Sequence, residues 1–181
     1  MFTEYTGPSD LYHRELDTGG LMPIDKTQLR RLISLTLSEV GLNSDAAVEL
    51  IMLTFAVESN LGDYIEQTKG PAIGIGQMEP ATYDDIYASW FRYRPEGFKE
   101  VIGRFVNRYV GTERDSRTMK YNLKYAILMT RLHYLRVKAP LPPNDPVQLA
   151  QYWKRFYNTE LGKGTVNKAV KKYLRYCTDN T

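Results

Sequence analysis

Residues 45–59 combine a helical start signal with apolar side chains on nearly every face of the helix that they predict. The segment Asn43-Ser44-Asp45 supplies the residue types that begin helices, and residues 46–57 are interrupted by polar side chains at Glu49 and Thr54 alone. A helix that is apolar all round has no face to turn to water, so we expect it at the centre of a helical domain. The run is too short to cross a bilayer.

The helical period also recurs along most of the remaining chain. Asp25 and Gln28 form a plausible capping pair for a first helix, which Gly41 ends. Further helices are predicted from Thr82 toward Trp90, over residues 98–109, from about Asp115 to Val137, after Asp145-Pro146, and from Thr165 to Tyr173. Strand signals are weak, and at most one short hairpin fits within residues 62–76. The pattern therefore predicts a mainly α single domain.

Length and composition agree with one globular domain. The chain has 181 residues, of which 43% are hydrophobic and 25% are charged. Glycine and proline interrupt residues 1–24 repeatedly, so we predict an irregular N-terminal arm there and a folded domain over residues 25–181. A single cysteine, Cys177, excludes an internal disulfide framework, and two histidines leave little for a metal site, so no metal or cofactor is expected.

Charge is unevenly distributed along the sequence. Residues 1–66 hold 4 Lys and Arg against 11 Asp and Glu, whereas residues 151–181 hold 7 against 2. A basic C-terminal part is compatible with an anionic polymer as partner, although a solvated face is the simpler explanation of the charge alone. The basic residues match no familiar nucleic-acid reader, so nucleic acid is not expected. The first residues lack a basic start and an apolar core, so neither a signal peptide nor a transmembrane segment is expected.

Glu58 stands at the end of the apolar helix and is the candidate catalytic residue. Its side chain could turn to solvent, which is the simpler interpretation, or lie in a cleft with apolar walls. In a cleft, desolvation and the negative end of the helix would raise its pKa and keep a proton available for general-acid chemistry. Downstream, Gly74 and Gly76 indicate a backbone that passes close to a ligand or to this helix, and the amide of Gln77 could bind a sugar. The simpler alternative is a tight hairpin with Gln77 in water.

Four short motifs within residues 45–170 occur in the order found in one enzyme family. They are Glu58-Ser59; Gly74-Ile75-Gly76-Gln77-Met78-Glu79-Pro80-Ala81-Thr82; Asn122-Leu123 with Tyr134-Leu135; and Ala150 followed by Tyr157-Asn158-Thr159 and Gly162-Lys163-Gly164-Thr165-Val166. In this order they resemble the soluble lytic transglycosylases of the lysozyme-like superfamily. The chain departs from the family at Gly76, where the family usually has Met, and at Thr159, which precedes the expected glycine by three residues.

The resemblance implies a lysozyme-like domain that cleaves the β-1,4 bond between N-acetylmuramic acid and N-acetylglucosamine in peptidoglycan. It implies that Glu58 is the single catalytic acid and later the base, and that the product is a 1,6-anhydro sugar. No cofactor is implied. The implied substrate-binding set is Ser59, Gln77, Met78, Tyr157 and Asn158, with Ser59 orienting the Glu58 segment and Asn158 holding the fold around the cleft.

Two other functions stay open at this point. A hydrolysing muramidase of the goose-type kind would need a second carboxylate to position water, about 6.5–9.5 Å from the first for inversion, and Asp63, Glu66 and Glu79 are candidates. A structural or glycan-binding protein could keep the fold without turnover. A wall-degrading domain with no evident leader or disulfide suggests a bacteriophage. We expect a virion component that opens the wall during genome entry and acts in the host periplasm, with other virion proteins as partners in a symmetric assembly. An endolysin is the alternative.

Overall fold

The computed structural model describes residues 24–158 and 162–179, and the predicted N-terminal arm lies outside this part except for Ile24. Most of the described chain is helical, which confirms the prediction of a mainly α single domain. The α-helices are α1 (Lys26–Glu39), α2 (Asp45–Ser59), α3 (Pro80–Asp85), α4 (Glu96–Tyr109), α5 (Leu123–Leu135), α6 (Pro146–Trp153) and α7 (Val166–Cys177). A π-helical turn follows α3 at Ile86–Trp90, and another follows α6 at Lys154–Asn158.

Helix α2 lies at the centre of the domain, as its sequence predicts. Ser44 caps its first turn by accepting a hydrogen bond from the backbone of Ala47, and α1, α5, α6 and α7 pack around it. The helix ends at Ser59 because the next residues turn away in the left-handed conformation, with φ of 53° at Asn60 and 60° at Leu61. Glu58 therefore lies in the last turn of a helix that is otherwise almost fully buried.

The single long helix predicted from Asp115 to Val137 is wrong. The chain instead forms a short 3-10 turn over Ser116–Lys120 and begins α5 only at Leu123. Asn122 causes the break, because its backbone is extended and its side chain binds elsewhere: Oδ1 accepts from Tyr125 N at 3.0 Å, and Nδ2 donates to Tyr109 O at 2.8 Å. An Asn side chain that caps a helix cannot also sit in the interior of one.

The segment between α2 and α3 forms a compact loop. Two isolated antiparallel bridges pair Glu66 with Ile73 and Ile73 with Met78. The first lies within residues 62–76, where the sequence allowed a short hairpin, and the second extends beyond that range to Met78. Gly74 and Gln77 both have positive φ, at 74° and 45°, so the loop reverses direction sharply between them. Helix α3 then begins at Pro80, two residues earlier than predicted from Thr82, because proline needs no N–H partner in a first turn.

A buried polar cluster fixes α7 to the centre of the domain. Arg30 of α1 donates to Glu49 of α2 at 2.5 and 3.1 Å, and Tyr173 of α7 donates to the same carboxylate at 2.7 Å. Arg30 also donates to the backbone carbonyl of Cys177 at 2.9 Å. Each partner of the Glu49 carboxylate comes from a different helix, so the cluster sets the position of α7 beside α2, and with it the lysines that α7 presents.

Candidate active site

A cleft of about 740 Å³ opens where α2 ends, bounded by the glycine-containing loop on one side and by the connection between α6 and α7. The residues that line it include Glu58, Gln77, Met78, Tyr157 and Asn158. These five were predicted from three separate segments of the sequence, and the structure brings them together. Ser59, the sixth, does not face the cleft.

Glu58 projects from the last turn of α2 into this cleft and is partly exposed to it. The indole Nε1–H of Trp153 donates a hydrogen bond of 2.9 Å to its Oε1. Burial raises the pKa of Glu58 to about 7, against smaller opposing effects of the Trp153 hydrogen bond and the Lys172 ammonium. A carboxyl group with this pKa holds and releases a proton readily near neutral pH, which is what general acid–base catalysis requires.

The buried side chain of Ser59 fixes the backbone next to Glu58. Ser59 is fully buried, so it does not contact a ligand in the cleft. Its hydroxyl donates to the carbonyl of Ile75 at 2.7 Å and accepts from the N–H of Gly62 at 3.0 Å. The hydroxyl thereby joins the end of α2 to the glycine-containing loop.

The close approach predicted from the glycines is present at Gly76. A Cβ added there would lie 2.8 Å from Thr130 Oγ1 and 3.2 Å from Phe55 Cε1, so the loop backbone packs directly on α5 and α2. The Tyr157 hydroxyl donates to Gly76 O at 2.7 Å. Tyr157 therefore anchors the loop with its hydroxyl while its side chain lines the cleft.

The side-chain amide of Gln77 is partly engaged within its own loop. Its Nε2 donates one N–H to Gly74 O at 2.8 Å, which leaves the amide oxygen and the second N–H available to a sugar. Met78 is 4% exposed and pairs its backbone with Ile73 in both directions at 3.0 Å. Met78 thus contributes an apolar edge to the cleft floor rather than a polar contact.

Asn158 stabilises the connection between α6 and α7. Its Oδ1 accepts from Lys154 Nζ at 2.8 Å, and Lys154 also donates to Gly162 O at 2.7 Å. Gly162 lies so close that an added Cβ would be 2.3 Å from the backbone oxygen of Asn158. The Asn158 side chain therefore helps to fix the connection between α6 and α7 beside the cleft. The intervening Thr159 lies outside the described residues.

The three candidate second carboxylates lie in different surroundings. Asp63 accepts from Asn60 Nδ2 at 3.1 Å, and Glu66 pairs with Lys120; neither lines the cleft. Glu79 is exposed and does line the cleft. Of the three, Glu79 is thus the one that can reach a ligand bound beside Glu58.

Several cleft residues escaped the sequence analysis. Tyr64 is exposed beside the cleft and donates to the carbonyl of Glu58 at 2.6 Å, while Lys172 donates to that of Val57 at 2.7 Å. Trp153 belongs to the helix predicted after Asp145-Pro146, and nothing in its sequence neighbourhood marks it as a cleft residue. Each contact joins residues from separate segments or across a left-handed turn, and no local pattern in the sequence marks such a contact.

His133 also lines the cleft. Its Nε2 lies 2.9 Å from Phe156 O, and because a carbonyl only accepts, Nε2 donates. Nδ1 then accepts from Arg136 Nη2 at 3.1 Å. Burial lowers the pKa of His133 to about 4, so the ring is neutral at physiological pH and supports the turn that holds Tyr157.

Comparisons of the chain with protein-family models, curated proteins and solved structures found no match. Within residues 24–158 and 162–179, no cluster of three or more His, Cys, Asp or Glu side chains could hold a metal ion. No helix in these same ranges has the length and apolar character needed to cross a membrane.

Proposed function

We propose that this chain is a lytic transglycosylase that cleaves the β-1,4 bond between N-acetylmuramic acid and N-acetylglucosamine in peptidoglycan. The observation that supports it most directly is the position of Glu58, half-buried in the cleft with a pKa of about 7 and held by Trp153. The motifs support it independently, because five of the six residues that they predict line a single cleft.

In the proposed reaction Glu58 transfers its proton to the glycosidic oxygen as the C1–O bond of the muramyl residue breaks. The ionised Glu58 then accepts the proton of the muramyl C6 hydroxyl while O6 bonds to C1, which gives the 1,6-anhydro ring. Glu58 ends protonated, and no water is consumed. One carboxyl group suffices, whereas hydrolysis of glycosides ordinarily needs two.

The Trp153 hydrogen bond supports both steps. An N–H donor stabilises the ionised carboxylate that exists between the two proton transfers, and it fixes the orientation of the carboxyl group. The surrounding burial favours the protonated form at the start. The balance of these two effects leaves a pKa suited to donating and then accepting a proton at neutral pH.

Mass spectrometry of purified peptidoglycan digests tests this proposal. We expect anhydro-muropeptides from the wild-type protein and none from Glu58→Gln, which keeps the shape of the side chain and removes its proton transfer. Glu79→Gln is the matched control, because it makes the same chemical change at the other candidate carboxylate on the cleft. Anhydro products from Glu58→Gln at the wild-type rate would exclude Glu58 as the acid.

A hydrolysing muramidase is the second candidate, and the position of Glu79 on the cleft favours it. In that reaction Glu79 would direct water to the anomeric carbon opposite Glu58. The products would have reducing ends, and Glu79→Gln would lose activity together with Glu58→Gln. If folded wild-type protein released no products, a structural or glycan-binding role would replace both enzymatic ones.

The setting that we propose is the bacteriophage virion, with action on the host wall during genome entry. This part of the proposal comes from the sequence. Detection of the chain in purified virions by peptide mass spectrometry would support it, whereas presence only in lysates late in infection would favour an endolysin.

A further inference from the structure

Three lysines line the cleft on the side formed by the start of α7 and the loop before it. They are Lys163, Lys168 and Lys172. We call this set the lysine wall. Lys172 is partly buried and committed to Val57 O, whereas Lys163 and Lys168 are exposed. The wall therefore presents two ammonium groups to a ligand.

Neither of these two ammonium groups is neutralised by the described part of the protein. Lys163 and Lys168 make no ion pair with any described carboxylate, in contrast to Lys120 and Lys124, which pair with Glu66 and Glu39. The positive end of α7, capped by Thr165, opens into the same cleft and has the same sign. An anionic group would therefore be attracted to this side of the cleft.

The backbone that bears the wall is firmly fixed relative to Glu58. Gly164 packs on the indole of Trp153 so tightly that an added Cβ would lie 2.4 Å from the ring atom Cη2. Lys154 holds the preceding Gly162 through its carbonyl. Because the same indole binds Glu58, the wall and the candidate catalytic carboxyl are positioned by one side chain.

We propose that the lysine wall binds carboxylates of the substrate, so that the cleft prefers acidic muramyl glycan to a neutral glycan of the same length. This inference rests on the proposed function, because it assigns a substrate part to one side of that cleft. Muramic acid differs from glucosamine by a lactyl ether, which either ends in a free carboxylate or bears a stem peptide with carboxylates of its own. Either source supplies the group that ammonium ions bind.

A binding experiment that requires no turnover tests this inference. The Glu58→Gln protein is sedimented with insoluble peptidoglycan, either native or with its carboxyl groups converted to amides by carbodiimide and ammonium. The wall variant adds Lys163→Gln and Lys168→Gln. The matched control adds Lys171→Gln and Arg175→Gln, which remove the same charge from positions of the same basic segment that do not line the cleft.

We expect the wall variant to bind native peptidoglycan about three- to tenfold more weakly than the Glu58→Gln parent. The control variant should bind it less than about twofold more weakly than the parent. On amidated peptidoglycan the parent and the wall variant should bind alike. Removal of the stem peptides by an amidase breaks the lactyl amide and frees the lactyl carboxylates. On this stripped glycan, a difference between parent and wall variant shows that the wall binds the lactyl carboxylate, and the absence of a difference assigns the wall to carboxylates of the stem peptide.

Equal losses in the wall variant and the control would overturn the inference, because they would show only general attraction to a basic helix. A loss that persists on amidated peptidoglycan would overturn it as well. The proposed function fails in a different way, which is the absence of anhydro products from wild-type protein. Charge-dependent binding without products would retain the lysine wall and reject the transglycosylase.

Discussion

The indole of Trp153 donates its Nε1–H to Oε1 of Glu58 at 2.9 Å, across 95 positions of sequence. This contact joins the end of α6 to the end of α2 and bridges the cleft at the candidate catalytic carboxyl. Because the hydrogen bond favours the ionised carboxylate and burial favours the neutral one, the pKa of Glu58 depends on both.

Trp153→Phe should raise the pKa of Glu58. The substitution removes the donor but keeps an aromatic ring, so burial is largely retained while stabilisation of the carboxylate is lost. The alkaline limb of the pH–activity profile, which reports loss of the catalytic proton, should move up by about one pH unit. The measurement is the rate of glycan release against pH. Trp90→Phe, at a tryptophan outside the cleft, is the control, and coinciding limbs for wild type and Trp153→Phe would contradict the prediction.

Glu58→Gln should stabilise the protein at alkaline pH. Folding raises the pKa of Glu58 from 4.5 to about 7, so below pH 4.5 the group is protonated in both states and imposes no cost. Between pH 4.5 and 7, Glu58 ionises in the unfolded chain but stays largely protonated in the folded protein. The free energy of unfolding therefore falls over this range, by up to about 3 kcal/mol at pH 7 and above. Partial exposure to the cleft makes this an upper bound.

The measurement is urea unfolding of wild type and Glu58→Gln at pH 5 and pH 8. The free energy of unfolding of Glu58→Gln should exceed that of the wild type by a small amount at pH 5 and by a larger amount at pH 8. Glu79→Gln, the same chemical change at an exposed position, is the control. A pH-independent difference for Glu58→Gln would mean that the Glu58 carboxyl is well hydrated.

Gly76→Ala should destabilise the domain by about 1–3 kcal/mol, because its methyl group would press against Thr130 and Phe55 at the packed base of the loop. Gly103→Ala is the contrasting variant. It lies within α4, nothing is within 4 Å of its added Cβ, and alanine favours helix, so it should be neutral or stabilise by up to about 1 kcal/mol. Thermal unfolding compares the two, and equal effects would contradict the close packing of the loop.

Tyr157→Phe should lower both stability and turnover. The lost hydroxyl leaves Gly76 O without its donor, which costs about 1–3 kcal/mol for a buried group. The loop that bears Gln77 should then loosen, so the rate of glycan release should also fall. Tyr121→Phe removes the hydroxyl of a side chain that is 77% exposed and should change neither quantity. Unaltered unfolding of Tyr157→Phe would show that the hydroxyl does not anchor the loop.

Local signals in the sequence predicted the helices where a cap and an apolar period agree. Asp25, Ser44, Asp145 and Thr165 each accept the backbone hydrogen bonds expected of a helix-capping residue. The prediction failed at Asn122, because an Asn can either lie within a helix or cap its start. The hydrogen bond from its side chain to Tyr109 O favours the capping position. The choice depends on where α4 ends, 13 positions away.

The sequence by itself determined that α2 is buried, that Glu58 lies at its end, and that a glycine-containing loop follows. These features depend on residue type and short spacing. Only the tertiary structure decided that Trp153 binds Glu58, that Ser59 does not line the cleft, and that Lys168 and Lys172 of α7 line the same cleft as the loop. Those features require helices distant in sequence to pack side by side, and packing depends on the shape and burial of all of them together.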